Sequence, residues 1–392
     1  MDFSIYLNSI QIPEYDFDSS GSKRQIGDYI KVNSDDNGMP DLDGVQLAIV
    51  GVTESRNSVN NYGCSKAPDE VRKYLYKLFI VNEKMNIADL GNIKAGYNIE
   101  DTYFAVKAVV EFLLKNNIIP IIIGGSQDIT YANYTAYENM GQVINIASVD
   151  STFDLGNAEE VFNSRSYLSK IILHQPNFLF NYTNIGYQSY FVDSQSVSLM
   201  QSLYFDVYRL GVMRKSIEEV EPLVRNADLL SFDISAIRQS EAPANENTSP
   251  NGFNGEEACR IARYAGISDK LTSFGLYEIN PEKDFNGMTS HLAAQIIWYF
   301  IEGFYQRKGD FPHKQKDNYK KYNVGIDDND HSIVFYESLR SGRWWMQVPL
   351  SGGDSADKYK RHYMLPCSYS DYELASSGEI PDRWWQVYQK MM

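Results

Sequence analysis

The chain has 392 residues, of which 43% are hydrophobic and 22% charged, an ordinary balance for a globular fold whose core needs no disulfide or metal staple. Its 36 Lys and Arg against 51 Asp and Glu give a net charge of −15, which repels phosphate backbones and argues against nucleic-acid partners. Three dispersed cysteines (Cys64, Cys259, Cys367) predict reduced thiols and a cytoplasmic setting, and the absence of a basic, apolar leader at MDFSIYLNSI or of an apolar run near ~18–20 residues predicts neither a signal peptide nor a membrane span.

Residues 1–44 carry DSSGS and SDDNG turns and little periodicity, and are read as an N-terminal extension wrapped over the core. From 45 to 305, apolar runs alternate with helical patterns. The runs are VQLAIVGV (45–52), NIADLG (86–91), IIPIIIG (118–124), VINIASVD (143–150), TNIGYQ (183–188), YRLGVM (208–213), DLLSFDI (228–234) and TSFGLYEI (272–279). Several are apolar on both faces, as strands of a parallel sheet covered by helices must be. Helical spacing is clearest in 68–79, 101–117, 254–266 and 290–305. Strand–helix repetition predicts a three-layer α/β/α fold with an eight-stranded, mostly parallel sheet and right-handed crossovers. Residues 306–392 form a C-terminal extension rich in aromatics, with a hairpin across HSIVFYESLRSGRWWMQV and four of the five tryptophans. Those rings either pack the tail onto the core or a sister subunit, or form an exposed surface for a protein partner. SGGDS (351–355) is read as a turn.

In such a sheet ligands bind beyond the C-terminal strand ends. Four of these ends are polar: GGSQD (124–128), VDSTFD (149–154), SFDIS (231–235) and YEINP (277–281). They aim Asp150, Asp154 and Asp233 at one mouth, with Glu278 nearby. Asp128 reads as the N-cap of the helix that follows.

These four motifs, in this order, resemble the GGDHS, DAHxD, SxDxDxxDP and E-[VIL]-NP motifs of the ureohydrolases: arginase, agmatinase and formimidoylglutamase. NYGCSKAPDEVRKYL (61–75), IADLGNI (87–93) and EINPEKDFNGMTSHLAA (278–294) extend the likeness over about residues 45–305, two-thirds of the chain. The resemblance implies an arginase-like fold, a homo-oligomer, and a site for two manganese ions held by four aspartates and two histidines. It also implies that Glu278 faces a cationic guanidinium or amidinium group.

Departures fall on the ligands. Gln127 and Thr152 stand where the family carries histidine, and Ser235 where it carries aspartate. Gln127, Asp150, Asp154 and Asp233 make one oxygen-rich set for a single Mn²⁺, Mg²⁺ or Ca²⁺. The other subsite, with Thr152 and Ser235, is expected to be empty, and no histidine of 159–169 replaces the family's catalytic one. Arg238 or Arg165 is the candidate to supply the missing positive charge. The resulting reading is a degenerate ureohydrolase, closest to the formimidoylglutamases, without cofactor or dimanganese hydrolysis and serving in binding, scaffolding or regulation. Two alternatives stay open: hydrolysis of C–N bonds in linear amidines with a single metal ion, and a binder of a guanidinium metabolite through Glu278.

Overall fold

The computed structural model describes residues 3–11, 24–157, 161–312, 316–326, 331–350 and 358–392. The SGGDS turn lies outside them. Ten strands form one sheet: β1 (Leu7–Asn8), β2 (Lys31–Val32), β3 (Leu47–Val52), β4 (Ile87–Ile93), β5 (Ile119–Ile123), β6 (Ile144–Val149), β7 (Leu179–Tyr187), β8 (Asp206–Arg209), β9 (Leu229–Asp233) and β10 (Ser273–Tyr277). Their order is β1-β4-β3-β5-β10-β9-β6-β7-β8, with β2 also pairing β4. All pairs are parallel except β1 with β4. The eight longer strands are those predicted; β1 and β2 are two-residue additions through which the N-terminal segment fastens to the sheet edge.

Strand residues alternate between two apolar layers. Ile49, Ile121 and Ile123 pack with the helices Ala67–Leu75, Gly255–Gly266 and Met288–Phe304, whereas Val50 and Ile122 pack with Ile99–Lys115 and Ile129–Thr135. This is the burial on both faces that the continuous apolar runs required. One expected strand is shorter: of YRLGVM only the start pairs, and Leu210–Lys215 is helix. β8 is the sheet edge and has a single neighbour, so nothing holds the run extended beyond Arg209.

The tail folds as a second, antiparallel sheet of β11 (Tyr319–Ile326), β12 (His331–Ser338), β13 (Trp344–Gln347) and β14 (Met364–Cys367). The predicted hairpin is β12–β13, and β11 joins it as a strand not predicted from the sequence. The tail docks at the end of the main sheet where the strands begin. Arg361 pairs with the buried Asp228 at 2.6 Å, just before β9, and the His362 ring lies 3.0 Å from the Val143 carbonyl, just before β6. Arg225 donates to the Trp344 and Cys367 carbonyls and stacks 4.4 Å over the Trp345 ring. Trp345 and Trp384 are buried in the same chain, while Trp385 is exposed.

Candidate functional site

At the opposite end, where the strands finish, the chain turns inward at β5. Gly124 and Gly125 have φ of +83° and +74°, and a Cβ on Gly125 would lie 2.8 Å from the Glu54 carbonyl oxygen. Only glycine meets both demands, and the corner it makes delivers Gln127 to the tip. Gln127, Thr152, Asp154, Asp233, Ser235 and Glu278 line a cavity of about 210 Å³, with Ser164, Arg165, Phe191 and Asn247 around them.

The geometry is built from oxygen atoms. Gln127 Nε2 donates to Ser231 Oγ at 2.9 Å, which leaves Gln127 Oε1 buried with no partner. Asp150 Oδ1 accepts the Thr152 N–H at 2.9 Å, while its buried Oδ2 is likewise unpartnered. The Thr152 hydroxyl donates to Asp154 Oδ1 at 2.8 Å, and the Ser235 N–H to Asp233 Oδ1 at 2.6 Å. Glu278 is held firmly: Oε1 accepts the Gln127 N–H at 2.9 Å, and Oε2 accepts Asn61 Nδ2 at 2.7 Å. Asp154 and Glu278 both adopt left-handed backbones, φ +52° and +65°. Such conformations cost of order 1–3 kcal/mol in a non-glycine residue and concentrate where surrounding structure holds a functional group in place.

Burial sets the electrostatics. Desolvation raises the Asp150 carboxyl well above its usual range, and repulsion from Asp154 and Asp233 adds to it. Asp154 is raised by burial, with its hydrogen bonds and Arg165 opposing. Burial pushes Asp233 up to about 7, and Glu278 up to about 8 with repulsion from Asp233 as the next cause. Four buried carboxyls at one place demand protons or a cation.

Two placements correct the sequence reading. Arg238 does not reach the cavity: its guanidinium pairs with Glu241 at 3.1 Å, because the turn Ile234–Ala236 carries the chain away from Asp233. Arg165 lines the cavity instead and donates to Asn247 Oδ1 at 2.5 Å. Asp128 begins the next helix without capping it; its carboxylate accepts the Tyr103 hydroxyl. Sequence reasoning missed Asn61 and Asn247. Asn61 lies in a quoted segment, but its contact with Glu278 spans 217 positions and leaves no local signal.

The Arginase family model matches residues 45–302, which include every cavity residue named above. The chain belongs to the arginase family. Among curated arginase-family relatives, it is similar to the formimidoylglutamase of Streptococcus gordonii, 23% identical over 294 residues that cover 69% of this chain and 88% of that one. It is also similar to the formimidoylglutamase of Halalkalibacterium halodurans, 24% identical over 283 residues, 67% of this chain and 88% of the relative. The fold matches the crystal structure of Trypanosoma cruzi formiminoglutamase with Mn²⁺ at a TM-score of 0.63 and 19% identity, covering 68% of this chain and 96% of that one. It matches Bacillus subtilis formimidoylglutamase at 0.66 and 19% identity, covering 76% and 97%.

The donor set of this arginase-family chain can be tested against the ions that the fold implies. Among the described residues, no three His, Cys, Asp or Glu side chains form a group able to hold a metal ion by themselves. Asp150, Asp154 and Asp233 would therefore need a further oxygen donor to hold even one ion, and Thr152 and Ser235 offer neutral hydroxyls. One hard, oxygen-seeking cation suits the residues, because Gln127 Oε1 and Asp150 Oδ2 are buried acceptors without donors among carboxyls that Arg165 offsets only in part.

Proposed function

We propose that this chain hydrolyses a C–N bond in a small linear amidine of the kind formimidoylglutamases take, with one divalent cation (Mn²⁺, Mg²⁺ or Ca²⁺) at Gln127, Asp150, Asp154 and Asp233. The observation that carries this reading is the pair of unpartnered buried oxygens, Gln127 Oε1 and Asp150 Oδ2, among carboxyls whose ionisation burial opposes. A bound cation supplies the charge that lowers the pKa of water toward neutrality. The chain's own part is positional. Glu278, clamped by Asn61 and the Gln127 N–H, presents a fixed carboxyl that a cationic amidine would hold in its ionised form. Thr152 and the Ser235 N–H fix the orientation of the carboxylates beside it.

A second reading is saturable binding of a guanidinium or amidine without turnover, in a regulatory or scaffolding role. It is favoured by a specific feature: among the described residues no imidazole lines the cavity to serve as a proton shuttle of the usual kind. Elemental mass spectrometry after Mn²⁺ loading and dialysis, beside product analysis of N-formimidoyl-glutamate for either C–N cleavage (glutamate with formamide, or N-formyl-glutamate with ammonia), separates the two. One ion per chain, lost in Asp150→Ala, with either product pair supports the hydrolase. Tight binding of the amidine with neither product pair formed, metal or not, supports the second reading.

A further inference from the structure

The cavity opens among loops that carry exposed aromatic rings. Phe191 lines it and is 50% exposed, and the Tyr190 ring, 61% exposed, meets Phe191 edge-on at 4.7 Å. Tyr62, 63% exposed, follows Asn61, whose amide holds Glu278. Tyr97 is 99% exposed; its carbonyl accepts from Arg56, and the adjacent Asn57 carbonyl accepts the N–H of Ser164 in the cavity wall at 2.8 Å. Phe191 and Tyr190 thus bring two exposed rings to the rim of one acidic hole, and Tyr62 and Tyr97 are exposed on loops bonded to its walls. A free small amidine seated in about 210 Å³ would leave Tyr62, Tyr97 and Tyr190 uncovered.

We propose that the ligand of this cavity is carried on a polypeptide: an arginine side chain of a partner protein enters the hole, and the partner's apolar residues on either side of it cover the rings. The proposal rests on the reading that the cavity takes a guanidinium or amidine cation. Charge complementarity selects the head group, since the buried Glu278 carboxyl stands free of the cation set and a guanidinium, with its planar fork of donors, would hold it in its ionised form. The rings select the rest, because exposed aromatics gain by covering flanking apolar groups that a small free amidine does not carry. Arg165, which lines the cavity, is bonded to the neutral Asn247, and no ion pair engages it among the described residues, which leaves guanidinium donors for a backbone carbonyl of the incoming chain.

The test is fluorescence anisotropy with a labelled five-residue peptide, arginine between tryptophan and phenylalanine, with N-acetyl-arginine amide as competitor, in chelator and in Mn²⁺. The peptide is expected to bind at least tenfold more tightly than the amide. Tyr62→Ser with Tyr97→Ser is expected to remove that advantage without weakening the amide, while Glu278→Gln weakens both. Equal affinity for peptide and amide, or an arginine-to-alanine peptide that binds as well, overturns the polypeptide proposal and leaves the cavity reading standing. No binding of either, while N-formimidoyl-glutamate is bound or hydrolysed, also overturns it. Failure of all three ligands overturns both readings.

Discussion

Asp233→Asn is predicted to stabilise the metal-free protein, and to do so only above mildly acidic pH. The native carboxyl is raised from its ordinary value to about 7, chiefly by burial. Below about pH 4 Asp233 is protonated in both states and imposes no penalty. As pH rises from about 4 to about 7, the unfolded chain gives up this proton while the native chain keeps it, so stability falls; above about 7 the loss is complete. Three units at about 1.4 kcal/mol each set an upper value of about 4 kcal/mol. Asparagine keeps an oxygen to accept the Ser235 N–H and removes the charge. For 392 residues, unfolding entropy of about 2.1 cal/mol/K per residue converts about 4 kcal/mol into roughly 5 °C. Thermal melts of both proteins in chelator at pH 5 and pH 8 measure this. The variant should melt higher at pH 8, with the gap shrinking toward pH 5. Added Mn²⁺ should raise the melting temperature of the parent more than that of the variant, because only a ligand bound to the native state stabilises it. A variant that melts at or below the parent at pH 8 in chelator refutes the electrostatic account, as does a gap that does not change with pH.

Thr152→His combined with Ser235→Asp should raise the manganese content from one ion per chain to two, because it returns an imidazole and a carboxylate to the wall that now offers two hydroxyls; unchanged stoichiometry would mean another feature excludes the second ion. Trp345→Ala should cost about 3–5 kcal/mol, since the ring is 1% exposed and lies under the Arg225 guanidinium. Chemical denaturation with a far-ultraviolet signal measures it, and a loss below about 1 kcal/mol would show that the tail contributes little to stability.

Much of the fold was legible because continuous apolar runs can be satisfied only between two helical layers. The runs ending at Ile123, Val149, Asp233 and Tyr277 therefore placed four polar tips together before any coordinates. Failures came where tertiary partners outweighed spacing. Arg238 was placed by its separation of five residues from Asp233, yet the turn between them and the proximity of Glu241 send it elsewhere. Asp128 has a good capping residue type, but its helical backbone (φ −59°, ψ −19°) points the carboxylate away from the helix start and toward Tyr103. Asn247 joined the site through a loop after β9 that carries no local pattern at all.

The docking of the tail has a mechanical side. Asp228, gripped by Arg361 immediately before β9, and Asp233, in the cavity wall at the end of β9, are five residues apart, roughly 17 Å at about 3.3 Å per residue. A strand paired on both sides is stiff along its axis and transmits a push from one end to the other. The tail therefore acts as a foundation under the cavity, and removing it would strand Asp228 without its arginine at the base of the column that carries Asp233.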